Sequence, residues 1–321
     1  MIENVKNPAI KASLLASIVA GAACYENDES QRSAPVLDWQ PVISLNGDLP
    51  DAVTVYSARD ETFPLRAWYV RIDESKPQVE TRVVLSDDLE DRRETGSSFS
   101  EDENACVVVN GGYFSMETTP AVHGGLLLQG GEMLAPATRR VVRDSIEYES
   151  ARAAIGFTDE GEVDIAWVTS REGELYQWES PPAHRQGSPA PPLDYDAASP
   201  WMVRDALSAG PVLIMGGATR ITSDEEIFFL SSIPDVHPRT AAGVTEDGEL
   251  ILVVVDGRQP ESRGVDLEEL ADIMLGLGAV EAMNLDGGGS SMLIVNGELV
   301  NLPAGNVDQR EVMSALVTYC Y

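Results

Sequence analysis

The sequence predicts an α+β fold: β-rich mixed sheets built from hairpins, a few flanking helices, and one β-α-β crossover near residues 250–285. Three observations carry that expectation. Short apolar runs closed by Gly-containing turns recur along the chain, the pattern of strands joined by hairpins. Segments also echo one another: Arg152-Ala-Ala-Ile-Gly-Phe-Thr-Asp-Glu-Gly-Glu-Val163 matches Arg239-Thr-Ala-Ala-Gly-Val-Thr-Glu-Asp-Gly-Glu-Leu250, with Arg, Gly, Thr, Gly and Glu in register. Both copies turn at an acidic residue followed by glycine, as a hairpin does. The third observation is a single well-signalled helix, in which Asp266 caps, Glu269 completes a capping box, and Leu267, Leu270, Met274 and Leu277 share one face before Gly278.

At the N-terminus, Lys6 and Lys11 precede an apolar stretch over residues 12–23 that is too short to span a bilayer but fits a signal-peptide core. The run ends at Cys24 and resembles a bacterial lipoprotein leader, with Cys24 as the lipidation site; a plain secretory leader and an uncleaved helix are the alternatives. Residues 1–24 are therefore expected to be a leader, 25–34 a polar tether, and 35–321 one catalytic domain. The protein is expected to be exported from a bacterial cell and anchored through lipid, or otherwise periplasmic or secreted. If Cys24 carries lipid, Cys106 and Cys320 are left either as a disulfide or as two buried thiols on strands.

Composition excludes several classes of partner. With 53 Asp+Glu against 22 Lys+Arg, the formal net charge is −31, a field that repels nucleic-acid backbone and anionic lipid. No nucleic-acid partner is expected, and membrane contact only through the lipid anchor. The basic residues are nearly all arginine, the side chain that grips phosphate or carboxylate bidentately. An anionic substrate in such a field needs a local arginine clamp. The cysteines and histidines are too dispersed for a structural zinc site.

Along the chain, residues 86–104 are acidic and polar and read as an exposed loop. Residues 105–110 read as a strand, and residues 126–133, 211–217 and 292–299 as hairpins. The stretch 171–200, rich in proline, reads as a surface excursion or lid. The helix at 267–277 lies between a strand at 250–255 and another at 281–285, which gives the crossover.

Polar residues cluster where strands end. The first cluster is Asn110-Gly111-Gly112-Tyr113-Phe114, followed by His123-Gly124-Gly125; the second is His237-Pro-Arg239-Thr240-Ala-Ala-Gly243 with Asp256-Gly257-Arg258; the third is Asn284-Leu-Asp286-Gly287-Gly288-Gly289-Ser290-Ser291. Glycines after a strand-end Asn or Asp let backbone N–H groups approach a ligand closely. Each cluster alone is a common turn. In this order, with Gly210-Pro211 between them and Arg310-Glu-Val312 after them, they resemble the phosphodiester glycosidase family over roughly residues 105–320.

The resemblance implies hydrolysis of the glycosidic bond of a sugar-1-phosphodiester or phosphoglycan, giving free sugar and a phosphomonoester. Such a reaction needs a carboxylate at the oxocarbenium-like centre, for which Asp286 and Asp256 are the candidates, and donors that hold phosphate. Candidate donors are Arg239, Arg258 and Arg310, the N–H groups of Gly287, Gly288 and Gly289, and the hydroxyls of Thr240, Ser290 and Ser291. Asn110, Gly111, His123 and Asn284 are further substrate-binding candidates, the asparagines either on sugar hydroxyls or orienting Asp286, whereas His237 reads either as a loop cap, the slightly favoured alternative, or as a residue lining the site. No cofactor is required; a divalent cation such as calcium, held by Asp256, Asp286 and asparagine oxygens, is chemically reasonable beside phosphate, although nothing in the spacing demands it. Two other functions fit the same residues: a metal-dependent phosphodiesterase that breaks P–O, and a non-catalytic glycan-binding module.

Overall fold

The computed structural model describes residues 35–305 and 308–321. The expected leader, Cys24 and the tether at 25–34 lie outside the described residues. Three large sheets form the body of the domain, and two two-stranded ones, Arg140–Arg143 with Ile146–Glu149 and Phe114–Ser115 with Val122–His123, accompany them among the described residues. The largest has eight strands in the order Gln40–Pro41, Val53–Asp60, Leu65–Ile72, Leu250–Val255, Arg239–Thr245, Ala279–Asn284, Val212–Met215, Ala218–Thr219. A seven-stranded sheet is centred on the hairpin Arg152–Phe157 and Val163–Arg171, and a five-stranded sheet runs Glu298–Leu299, Leu293–Val295, Val107–Asn110, Ser314–Cys320, Val79–Leu85.

Alternate residues of each strand face different neighbours, which is why the strands read as continuous apolar runs and not as alternating ones. Leu252 and Val254 join Ile155 and Trp167 of the second sheet and Val107, Val109 and Leu316 of the third in one shared core. On the other face, Ile251 and Val253 meet Leu270 and Met274 of the helix Leu267–Gly276. That helix starts as expected: Glu269 N–H donates to Asp266 Oδ1 at 2.9 Å and Asp266 N–H donates to Glu269 Oε2 at 3.0 Å, a device worth about 1 kcal/mol.

The β-rich α+β class is as expected, and each hairpin foreseen from the sequence is present. The sheets are not mixed in pairing, however: every ladder among the described residues is antiparallel. The crossover does join two strands of like direction, but it steps over Arg239–Thr245, which pairs antiparallel with both Leu250–Val255 and Ala279–Asn284. The segment 86–104 also departs from a plain loop. It contains the helix Gly96–Asp102, capped by the Thr95 hydroxyl and seated by buried Phe99 against Val108 and Val317. One apolar anchor in a polar run is too weak a periodic signal to read.

This topology decides where the motifs meet. Arg239 is opposite Val255, and Ala241 is opposite Asn284, so the start of one strand and the ends of its two neighbours lie at the same edge of the eight-stranded sheet. Asn110, at the end of its own strand in the third sheet, arrives beside them.

Cys106 and Cys320 are bonded, with Cα atoms 5.7 Å apart and 214 residues apart in sequence. In the chain-entropy account a loop of that size is worth roughly 5 kcal/mol. Replacing both cysteines by serine should lower the free energy of unfolding by several kcal/mol, read from denaturant titration, and reductant should have no further effect on that variant.

Candidate active site

A cavity of about 170 Å³ opens at the shared strand edge, lined by Tyr113, Ser232, Ile233, His237, Arg239, Arg258, Asn284, Asp286, Gly287, Gly288, Gly289 and Arg310. Its floor is Asn284, whose Nδ2 donates to Tyr113 Oη at 2.8 Å and to the Gly210 carbonyl at 3.0 Å. Tyr113 in turn donates its hydroxyl proton to Gly210 O at 2.7 Å, and burial pushes its pKa upward, so the phenol is a fixed neutral wall.

Asp286 is the carboxylate of this cleft. Gly287 N–H donates to its Oδ1 at 2.9 Å. Burial pushes its pKa up to about 6, against the opposing pull of the Ser290 hydroxyl, the Gly287 N–H and the Arg310 charge. At neutral pH the group is therefore mainly ionised yet basic enough to accept a proton.

The arginines divide into two kinds. Arg239 is buried and has four of its five N–H donors committed: Nε to Val265 O, Nη1 to Asn284 Oδ1, and Nη2 to the carbonyls of Ile233 and Asp235. Desolvation lowers its pKa to about 10. It chiefly ties the 233–235 loop to the cleft floor. Arg258 and Arg310 are exposed and, unlike Arg71, Arg82, Arg139, Arg204 and Arg263, make no ion pair among the described residues. In a chain with a large excess of carboxylates, two unpaired guanidinium groups on one cleft are poised for an anion.

The glycine run serves these arginines. A Cβ on Gly288, where φ is +65°, would stand 3.3 Å from Arg258 Nη1 and Nη2, and one on Gly289 would stand 2.7 Å from Arg310 Nη2. The expected nest of free N–H groups is largely spent inside the protein, because Gly287 N–H serves Asp286 and Gly288 N–H donates to Pro238 O at 2.9 Å.

Several expected site residues stand behind the cleft instead of in it. Asp256 is fully buried: its Oδ1 accepts from Asn301 Nδ2 and Leu302 N–H, both at 3.0 Å, and its Oδ2 faces Arg66 Nη2 at 3.3 Å. Burial raises its pKa to about 6. It bolts the 301–302 segment to the sheet edge and is not among the residues lining the cleft. Asn110 donates to Asp286 O at 2.6 Å and accepts from Thr240 Oγ1 at 2.6 Å, so both side chains support the Asp286 backbone. Gly111 accepts the Asp286 N–H at 3.1 Å and is packed against Ser314. His123 is buried between Gly125 O and Ser314 Oγ, its pKa lowered by desolvation. Ser290 and Ser291 are fully buried and do not line the cleft. The 171–200 excursion contributes nothing to the lining either.

His237 lines the cleft, the less favoured of its two sequence readings, and Tyr113, Ser232 and Ile233 line it without having been singled out for it. Tyr113 stood in a motif and could have been found there; Ser232 and Ile233 sit in a loop with no motif of its own. That loop is held at both ends by the arginines of the internal echo. Arg239 grips residues 233 and 235, while Arg152 donates Nε to Glu226 O at 3.0 Å and stacks 4.5 Å from the Phe228 ring. The buried Glu226 carboxylate accepts from Ala153 N–H, Val212 N–H and Thr222 Oγ1 at 2.6–2.8 Å, despite a pKa raised by desolvation.

The family model for phosphodiester glycosidase matches residues 103–319. The chain belongs to the phosphodiester glycosidase family. It is 28% identical over 215 residues to the bovine N-acetylglucosamine-1-phosphodiester alpha-N-acetylglucosaminidase, a match covering 66% of this chain and 35% of the bovine one. A second relative, the human enzyme of the same name, is 37% identical over 106 residues, 32% of this chain and 20% of its own. The chain thus spans about a third or less of the length of these relatives. Among solved structures, the zebrafish catalytic domain of that enzyme, auto-inhibited by its pro-peptide, superposes with a TM-score of 0.56 at 20% identity, covering 90% of this chain and 85% of that one. A hypothetical protein from Synechocystis gives 0.60 at 17% identity, covering 90% and 64%. These two share the fold. The matched segment of the family model begins just before the Asn110 strand and includes every residue lining the cleft.

If Asp256 is a bolt, Asp256→Ala should cost about 3 kcal/mol of stability by stranding two buried donors and Arg66. Its turnover per folded molecule should fall far less than that of Asp286→Asn, as measured by denaturation and by rates normalised to folded protein.

Proposed function

We propose that this protein is an exported hydrolase that cleaves the C1–O bond of a sugar-1-phosphodiester, releasing free sugar and a phosphomonoester. The observation that carries this reading is the cleft's charge count: one carboxylate, Asp286, faces three arginines among the described lining residues. Ordinary glycosidases need two carboxylates, one of them an acid for a poor leaving group. A phosphomonoester has a second pKa near 6 and departs with little protonation, so the acid is dispensable and cations that receive the developing charge take its place.

In this scheme the Arg258 and Arg310 guanidinium groups hold the phosphate, and Asn284 and Tyr113 floor the sugar side. The C1–O bond breaks with its electron pair going to the phosphate oxygen. Asp286 supplies electron density to the anomeric carbon, directly or by taking a proton from the water whose oxygen ends on C1. The names of the mammalian relatives make an N-acetylglucosamine-1-phosphodiester, as found in surface phosphoglycans, the first substrate to try. The bond between Cys106 and Cys320 supports an oxidising compartment. It agrees with the leader reading of residues 1–24.

Hydrolysis in 18O-labelled water, with mass detection of products, tests the bond cleaved. Label in the sugar is expected; label in the phosphate would mean P–O cleavage. Asp286→Asn should reduce kcat by about 10²- to 10⁴-fold with the fold intact. Because the carboxylate acts ionised and its pKa is about 6, kcat/KM should rise with pH through that value and lose activity below it; a flat profile from pH 4.5 to 7.5 would remove Asp286 from the role.

A further inference from the structure

His237 lies at the junction of the cleft wall and the exposed Arg258, and its two ring nitrogens have incompatible partners unless the ring is in one state. Nε2 is 2.7 Å from the carbonyl oxygen of Ser232, which can only accept, so Nε2 carries the proton. Nδ1 is 3.0 Å from Arg258 Nη2, which can only donate, so Nδ1 is bare. The neutral Nε2–H tautomer alone satisfies both. Its backbone is fixed as well: His237 N–H donates to Val265 O at 3.1 Å and Val265 N–H returns the bond at 3.0 Å. Gly264 leaves no room for a Cβ, which would stand 2.3 Å from His237 O.

Arg258 has no other side-chain hydrogen bond or ion pair among the described residues, and it leaves the sheet edge with φ +57°. An exposed arginine with no partner spreads over many rotamers at a cost that must be met again when it binds. Here the imidazole holds one guanidinium nitrogen while Gly288 leaves space for the group to lie over the glycine run.

We propose that His237 is a positioning residue that, as the Nε2–H tautomer, aims the Arg258 guanidinium at the anion subsite of the cleft. This rests on the phosphodiester reading for the identity of the anion, but not for the geometry. The charged groups that act on the ring are Arg239, Arg258 and Asp235, and burial together with the two cations lowers its tendency to protonate against the pull of the Ser232 carbonyl and Asp235. The bare Nδ1 is thus kept as an acceptor at neutral pH. In this way the histidine acts on substrate affinity through the arginine and not on the bond being broken.

Two substitutions separate its two contacts. Asn presents an acceptor near the Nδ1 position but cannot reach Ser232 O, whereas Gln presents a donor near Nε2 but no acceptor for Arg258. The full chain carrying His237→Ala, His237→Gln or His237→Asn is compared with the wild type at pH 7.5 for KM and kcat on a sugar-1-phosphodiester, and for sulfate affinity by calorimetry. Ala and Gln should raise KM and weaken sulfate about tenfold with kcat little changed, and Asn should recover most of that loss. In an Arg258→Ala background the three should no longer differ. Nitrogen NMR of the wild-type imidazole should report a protonated Nε2 and a bare Nδ1.

Equal losses in Asn and Gln, effects at 237 that persist without Arg258, a protonated Nδ1, or a wild type that binds no sulfate would each overturn the proposal. If no sugar-1-phosphodiester is turned over while sulfate affinity still follows the Asn and Gln contrast, the positioning role stands and the hydrolase reading fails.

Discussion

One buried amide holds the site together. Asn110 Nδ2 donates to the backbone carbonyl of Asp286, and its Oδ1 accepts from both Thr240 Oγ1 and, at 3.2 Å, the Met292 N–H. Those bonds join the end of a strand in the five-stranded sheet to Thr240 in the eight-stranded one, to the Asp286 turn that follows its neighbour Ala279–Asn284, and to Met292 just before an adjacent strand of its own sheet. Gly111 adds a backbone bond to the Asp286 N–H, so the catalytic carboxylate proposed above is fixed on both sides of its own residue. Such a satisfied polar network inside an apolar core specifies one geometry, because any slippage strands several buried donors at once.

The layer behind the cleft explains the chemistry of the layer in front. Asp256, Asn110, Thr240, His123 and Glu226 are all buried and hydrogen-bonded to the protein itself. This leaves Asp286 as the single carboxylate facing the cavity among the described residues, with its pKa raised by the surrounding desolvation and moderated by the Ser290 hydroxyl, the Gly287 N–H and Arg310. Two carboxylates near pKa 6 therefore play different parts. One meets the cavity; the other meets Asn301, Leu302 and Arg66.

Electrostatics works at two ranges. The net charge of −31 acts through solvent and is screened within about 10 Å at moderate ionic strength. Arg258 and Arg310, which make no ion pair among the described residues and lie against glycines that let them come close, act at contact distance. An acidic surface and an anion-binding cleft can therefore share one molecule.

The sequence by itself determined the β-rich class, the hairpins, the capped helix, the family and the run of residues where the cleft would be, since these rest on local patterns: turn glycines, the Asp266 and Glu269 box, and an ordered set of motifs. It also picked out Asp286 and the three arginines by residue type. What it could not assign was the direction each strand-end side chain takes. Asp256 and Asp286 look alike as Asp-Gly at strand ends, yet pairing on either side of Arg239–Thr245 turns one into the interior and the other into the cavity. Nor could it foresee Ser232 and Ile233, which reach the cleft only because Arg152 and Arg239, far apart in the chain, hold the two ends of their loop. The strand pattern is local, whereas the facing of a side chain depends on which distant strand becomes its neighbour, and only the tertiary structure decides that.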